Sequence, residues 1–216
     1  MVKVERTPTP PASLVVEKKK ANGSYRESDV IRQLHHDFHG KCYLCEINEL
    51  QSIHVEHLYP HRNDTERKFD WNNLFLSCPH CNLVKNQEKY TDAILDCCKS
   101  DPEVAFDHLF ENGHVAVCAL QDTTESKMTA ELLTECFEKD NTGIRIFECQ
   151  TRINALNSTM NLLYKQLREY CKAPSARNLR TLRAMLSRTY KFAGFTRAYV
   201  RGHLETYPDL AEYVQI

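Results

Sequence analysis

The chain has 216 residues, with 28 Lys and Arg against 29 Asp and Glu, for a formal net charge of −1. That balance excludes a uniformly basic nucleic-acid binder, and a composition 42 % hydrophobic and 26 % charged is that of one or two small globular domains. No stretch approaches the ~18 apolar residues that span a bilayer, and the opening segment has no apolar run of the kind a secretory signal needs, so a cytoplasmic protein is expected.

Residues 1–24, rich in Pro, Lys and small polar types and closing on Asn22-Gly23-Ser24, read as a flexible N-terminal arm. From Arg26 to His39, Val30, Ile31, Leu34 and Phe38 recur at helical spacing, with Ser24 or Ser28 available as N-cap and Gly40 as the stop. Residues 25–91 form the first module and hold nearly all the motif content. The remainder, 92–216, reads as mostly helical. It opens with a short helix near Asp92 to Lys99, followed by alternating stretches Val104–Phe110 and His114–Leu120 around Asn112-Gly113, the mark of a hairpin. Leu156, Met160, Leu163 and Leu167 form an apolar stripe between about Ile144 and Cys171, and Leu179, Leu182, Leu186 and Ala193 form another after Pro174.

Ten cysteines in a reducing compartment argue against a disulfide framework and for metal ligation wherever spacing is paired. Cys42-Tyr-Leu-Cys45 and Cys78-Pro-His-Cys81 are two C-x2-C knuckles 32 residues apart. Together they supply four thiolates, the closed tetrahedral set that zinc takes when its role is structural. The cysteines at 97, 98, 118, 136, 149 and 171 lack that spacing and read as small buried side chains.

Between the knuckles lie Ile53-His-Val-Glu-His-Leu-Tyr-Pro-His61 and Asp70-Trp-Asn-Asn-Leu-Phe-Leu-Ser-Cys78, and the second knuckle runs on into Asn82-Leu-Val-Lys-Asn86. This ordered set resembles the zinc-knuckle branch of the HNH endonucleases: C-x2-C, then (D/E)-H-x-x-P, then N-L, then C-x2-C-(H/N)-x-x-K, across residues 42–86. Within that branch, Glu-His-Leu-Tyr-Pro and Trp-Asn-Asn-Leu-Phe-Leu-Ser-Cys are similar to PtuB-type proteins. Those are nuclease partners of an ABC-type ATPase (PtuA) in Septu anti-phage systems and in some retrons. The resemblance implies an α+β fold: a ββα-metal module with a four-cysteine zinc site, followed by the mostly helical region. It also implies a bacterial, cytoplasmic setting.

By the same resemblance Glu56 is a metal ligand, His57 the general base that takes a proton from water, and Asn82 the last ligand. Asn73 would brace the loop that orients the base. Imidazole suits the base because its pKa lies near neutrality, and neighbours on an extended segment divide the tasks because they point to opposite sides. An amide oxygen at Asn82 favours Mg2+ or Mn2+ over a second zinc. Asn86, one turn further along the same helix face, is either another ligand, a phosphate contact or a solvated side chain. His54 shares a strand face with Glu56 and either reaches the site or is merely polar. His61 and Lys85 are candidate phosphate contacts. Trp71, Leu74 and Leu76 read as core, and Tyr25, Tyr43 and Tyr59 carry no assigned role.

Residues 92–141 contain twelve acidic against three basic residues, whereas 142–203 contain twelve basic against two acidic. The basic stretch includes Arg177, Arg180, Arg183, Arg188, Lys191, Arg197 and Arg201, interleaved with Tyr190, Phe192, Phe195 and Tyr199. Three readings stay open: phosphate-backbone binding, with Arg180, Arg183 and Arg188 as contacts; docking on an acidic protein partner; or pairing with the acidic stretch of the same chain. The expected activity is metal-dependent cleavage of nucleic acid, DNA before RNA. The alternatives are an RNA- or tRNA-cleaving effector of a retron-type system, and a zinc-stabilised binding module without catalysis.

Overall fold

The computed structural model describes residues 1–48, 50–138 and 143–216. The charge boundary near residue 141 lies outside the described residues.

Ahead of the first knuckle, α1 (Ala12–Glu17) precedes α2 (Ser28–Asp37), which lays Val30 and Leu34 into the core. Two left-handed residues, His39 (φ 54°) and Gly40 (φ 66°), end α2, and the Gly40 N–H donates to the His35 carbonyl at 2.8 Å. The chain then turns into Cys42.

The strand β1 (His54–His57) pairs antiparallel with β2 (Leu74–Ser77), setting Glu56 opposite Phe75 and His57 opposite Leu74. A short helix α3 (Thr65–Lys68), capped by Asp64, lies in the connection. The helix α4 (Pro79–Lys85) follows β2 directly, with Cys78 as its N-cap and Pro79 in its first turn. A ββα unit is thereby framed by the two knuckles. Trp71, Leu74 and Leu76 are buried in it, as their apolar character requires.

Beyond it come α5 (Pro102–Ala105) and the hairpin β3 (Phe106–Glu111) and β4 (His114–Ala119). Asn112 and Gly113 take φ of 52° and 81°, the left-handed pair that a two-residue turn needs to match strand twist. Four longer helices follow: α6 (Thr124–Glu138), α7 (Gly143–Lys172), α8 (Ala176–Met185) and α9 (Ala193–Arg201). The expected stripe of α7 is buried at Leu156, Met160, Leu163 and Leu167. The second stripe is split between α8 and α9, burying Leu182, Leu186 and Ala193 while Leu179 is only partly covered. The whole is a mixed α+β fold with one cluster of buried side chains reaching from Met1 to Val214. Among the described residues, no helix is long and apolar enough to cross a membrane.

The structure corrects three expectations. The segment read as a flexible arm is packed: the Arg6 guanidinium lies 4.2 Å from the Trp71 ring centroid and donates to the Leu74 carbonyl at 2.6 Å, and the Trp71 indole N–H donates to the Thr7 carbonyl at 2.9 Å. Met1, Val2, Val4 and Leu14 are buried in the core, while Val15 and Val16 stay exposed. The helix expected near Asp92 to Lys99 is absent. Ile94, Leu95 and Cys97 are all buried in a non-helical segment that ends in a turn closed by Asp96, whose carboxylate accepts from Cys98 N at 2.8 Å. Finally, of the six unpaired cysteines, Cys118 and Cys171 are exposed and Cys98 is half-buried, so only Cys97, Cys136 and Cys149 are the buried side chains expected.

Candidate active site and metal centre

The sulfur atoms of Cys42, Cys45, Cys78 and Cys81, all buried, lie within 4.8 Å of one another, with Cys45 Sγ 4.0 Å from Cys78 Sγ. Thiolates about 2.3 Å from a zinc ion stand about 3.8 Å apart at tetrahedral corners. The donor set and its spacing therefore fit zinc. Among the described residues, these four are the one group of three or more His, Cys, Asp or Glu side chains whose ligand atoms converge as a metal site requires.

Elements far along the chain close over this centre. The Arg152 guanidinium on α7 reaches Cys78 Sγ at 3.0 Å and is itself buried. Hydrogen bonds from the neighbouring cysteines, with Arg152 beside them, hold the Cys78 thiol far below its ordinary pKa. The His80 ring donates to the Cys136 carbonyl on α6 at 3.0 Å. Glu135 gathers Gln87 at 2.6 Å, Tyr90 at 2.7 Å and Arg145 at 2.9 Å. The C-terminal region is thus bonded to the ββα module by polar groups as well as by apolar packing.

The second site is a cleft of about 470 Å³ lined by His57, His61, Asn82, Asn86 and the edge of Glu56, with Tyr25 and Arg26 at its rim. The His57 ring is half-buried on its wall. Its Nε2 lies 3.0 Å from the Lys68 carbonyl, which only accepts, so Nε2 carries the proton and the neutral ring leaves a lone pair on Nδ1. Burial, together with nearby His61 and Arg26 and despite the Lys68 bond, lowers the His57 pKa, favouring the neutral base. The ring is flanked edge-on by Tyr25 at 4.5 Å and His61 at 4.9 Å between centroids.

Asn73 is buried where the loop between the strands returns. Its oxygen accepts from Tyr59 N at 2.8 Å, and its nitrogen donates to the Tyr59 carbonyl at 2.8 Å and the Arg67 carbonyl at 3.3 Å. Arg67 adjoins Lys68, so the side chain fixes the backbone carbonyl to which His57 donates its hydrogen bond. Tyr59, without an assigned role in the sequence, supplies this strap through its backbone.

Glu56 is buried on the side of β1 facing α4. Its Oε1 meets Lys85 Nζ at 3.0 Å and accepts from Tyr43 OH at 3.2 Å, while Oε2 has no hydrogen-bond partner. Burial raises the Glu56 pKa, with Lys85 opposing. Lys85, expected to touch phosphate, is only 3 % exposed and also donates to the His57 carbonyl at 3.1 Å. The helical period that places Lys85 next to the cleft also turns its ammonium inward onto the carboxylate. Asn82 Nδ2 lies 3.0 Å from His54 Nδ1, so His54 is a neighbour of Asn82, and the amide oxygen is the donor that a cation would use. Glu56 and Asn82 both line this cleft, and their oxygens, including a Glu56 Oε2 buried without a hydrogen-bond partner, are donors of the type a hard divalent ion takes. Asn86, exposed at the end of α4, borders the same cleft.

The basic stretch divides. Arg188 donates to Asp101 at 2.6 Å and to Glu103 at 2.8 Å, and Arg197 and Arg201 each reach Glu103 Oε1 at 2.7 Å. Arg188, expected to be a nucleic-acid contact, is instead committed to the acidic stretch of its own chain, because Glu103 is fully buried and needs counter-charge. Arg177, Arg180 and Arg183 on α8 are exposed. Sequence reasoning missed Tyr25, Arg26, Tyr43 and Arg152. Tyr43 lies inside a knuckle and was within reach of the motif; the others carry no local signal, since only the tertiary fold brings them to their sites.

Comparison with known families finds that residues 42–88 match the family model described as HNH endonuclease. The match covers the two knuckles and the ββα unit, less than a quarter of the chain, and identifies an HNH endonuclease domain in that segment. A search of curated proteins finds no match.

Proposed function

We propose that this protein is a metal-dependent endonuclease that hydrolyses DNA phosphodiesters. The observation that carries the reading is the His57 imidazole, held in one tautomer by the Lys68 carbonyl on the wall of a cleft that Glu56 and Asn82 also line. His57 Nδ1 accepts the proton of the attacking water, while Asn73 and the Lys68 carbonyl keep the ring from rotating away. Glu56 and Asn82 would hold Mg2+ or Mn2+, which would supply charge stabilisation at the phosphate. The knuckle zinc, with four thiolates and no open position, is structural.

The similarity of the motif runs to PtuB-type proteins supports placing this nuclease beside an ABC-type ATPase in bacterial anti-phage defence, in the cytoplasm. Arg180 and Arg183, exposed on α8, and His61 and Asn86 at the cleft are its nucleic-acid contacts, with Arg177 alongside. The test is incubation of the purified protein, with and without such an ATPase, with plasmid DNA and with tRNA in Mg2+ or Mn2+. Cleavage of DNA that chelation abolishes is expected. Cleavage confined to tRNA would reassign the substrate, and intact nucleic acid in every arm would leave a zinc-stabilised binding module as the better reading.

A further inference from the structure

The cleft is bordered by three long cationic side chains, Arg26, Arg62 and Lys85. Lys85 is taken up by Glu56 and the His57 carbonyl. Arg62 is paired with Asp92 at 2.6 Å. Arg26, among the described residues, makes no ion pair, and its guanidinium is exposed at the rim.

Arg26 is nevertheless held in place. Its Nη2 donates to Tyr25 OH at 2.7 Å, its guanidinium lies 4.9 Å from the Tyr25 ring centroid, and its backbone N–H donates to Ser24 Oγ at 3.1 Å. The Tyr25 ring in turn packs on the edge of His57. Lys68, whose carbonyl orients His57, also ties down this segment by donating Nζ to the Gly23 carbonyl at 3.0 Å. One residue therefore fixes both the base and the backbone that carries Arg26. A guanidinium preorganised this way loses little freedom on meeting an oxyanion, and its remaining donors match the fork geometry that phosphate accepts.

We propose that Arg26 binds a non-bridging oxygen of the substrate phosphodiester beside His57, taking the role that spacing alone assigns to Lys85. The proposal rests on the nuclease reading and adds to it a substrate contact from a segment outside the HNH match.

The experiment measures binding and turnover separately. Binding of a labelled 20-base-pair duplex to the His57→Ala protein is titrated against salt, with and without Arg26→Ala. Plasmid cleavage is compared for the wild type, Arg26→Ala and Arg26→Lys. The expected results are a salt slope shallower by about one and a kcat/KM about 10- to 100-fold lower in Arg26→Ala, partly restored in Arg26→Lys, with an unchanged melting temperature. A duplex that binds or is cleaved with neither slope nor kcat/KM altered by Arg26→Ala overturns the proposal and leaves the nuclease reading standing. A wild type that neither binds nor cleaves DNA overturns both.

Discussion

Glu103 is a single carboxylate with three guanidinium partners, and its energetics follow from burial. It is held below the ordinary carboxylate range because Arg197 and Arg201 outweigh the cost of its desolvation. Glu103→Gln keeps the shape and removes the charge, leaving the buried Arg197 uncompensated; a loss of about 3–5 kcal/mol is expected in urea denaturation. Glu135 has a pH consequence. Burial raises its pKa, but bonds from Tyr90, Lys89, Gln87 and Arg145 win and bring it from 4.5 to about 2. A carboxylate with a depressed folded pKa stabilises above its unfolded value and loses that contribution as pH falls. The melting-temperature gap between wild type and Glu135→Gln should therefore be largest at neutral pH and close between about 4.5 and about 2; acid loss of zinc acts on both proteins and cancels in the difference. Single-residue roles were the least legible part of the sequence. Motif order names Lys85 and places it one turn from Asn82, but whether its ammonium meets solvent or Glu56 depends on which way α4 sits on β1. The placement of Glu56, His57 and Asn82 at one cleft, with Asn73 on the loop beside it, was legible because adjacency in the motif is adjacency in the ββα unit.

Among the elements, the hairpin could be read directly because Asn112-Gly113 dictates a two-residue turn, and the α7 stripe because its period repeats over many turns. The segment 92–99 misled, since an apolar pattern too short to show periodicity is also what a buried irregular segment looks like. The N-terminal segment misled for a related reason: its composition is polar, and a few anchors, Arg6 on Trp71 above all, order it. The contact between α7 and the knuckle couples distant elements. Removing zinc with a chelator should lower hydrogen-exchange protection in α7 around Arg152 as well as in the knuckles, whereas protection confined to a change in residues 42–88 would show that the helix does not depend on the metal. Leu163→Ala, in the buried stripe of α7, should cost about 2–5 kcal/mol in the same denaturation assay.

For the molecule as a whole, the near-zero net charge conceals an acidic and a basic stretch that partly neutralise each other through Asp101 and Glu103, leaving the α8 arginines outward. The proposed catalytic cleft and the four-cysteine cluster meet at α4: Cys78 caps its start and Cys81 lies in its first turn, while Asn82 and Lys85 further along, and Asn86 just past its end, line the cleft. Structural metal and chemistry are thus separable, and the central claim is that His57 performs the chemistry without supporting the fold. Its most direct test is the rate of Mg2+- or Mn2+-dependent plasmid cleavage by His57→Ala beside the wild type, with zinc content and melting temperature measured on the same samples. The account predicts one zinc and an unchanged melting temperature in both, with cleavage at least about 100-fold slower in the variant; cleavage at the wild-type rate by a zinc-loaded, folded His57→Ala protein would contradict it.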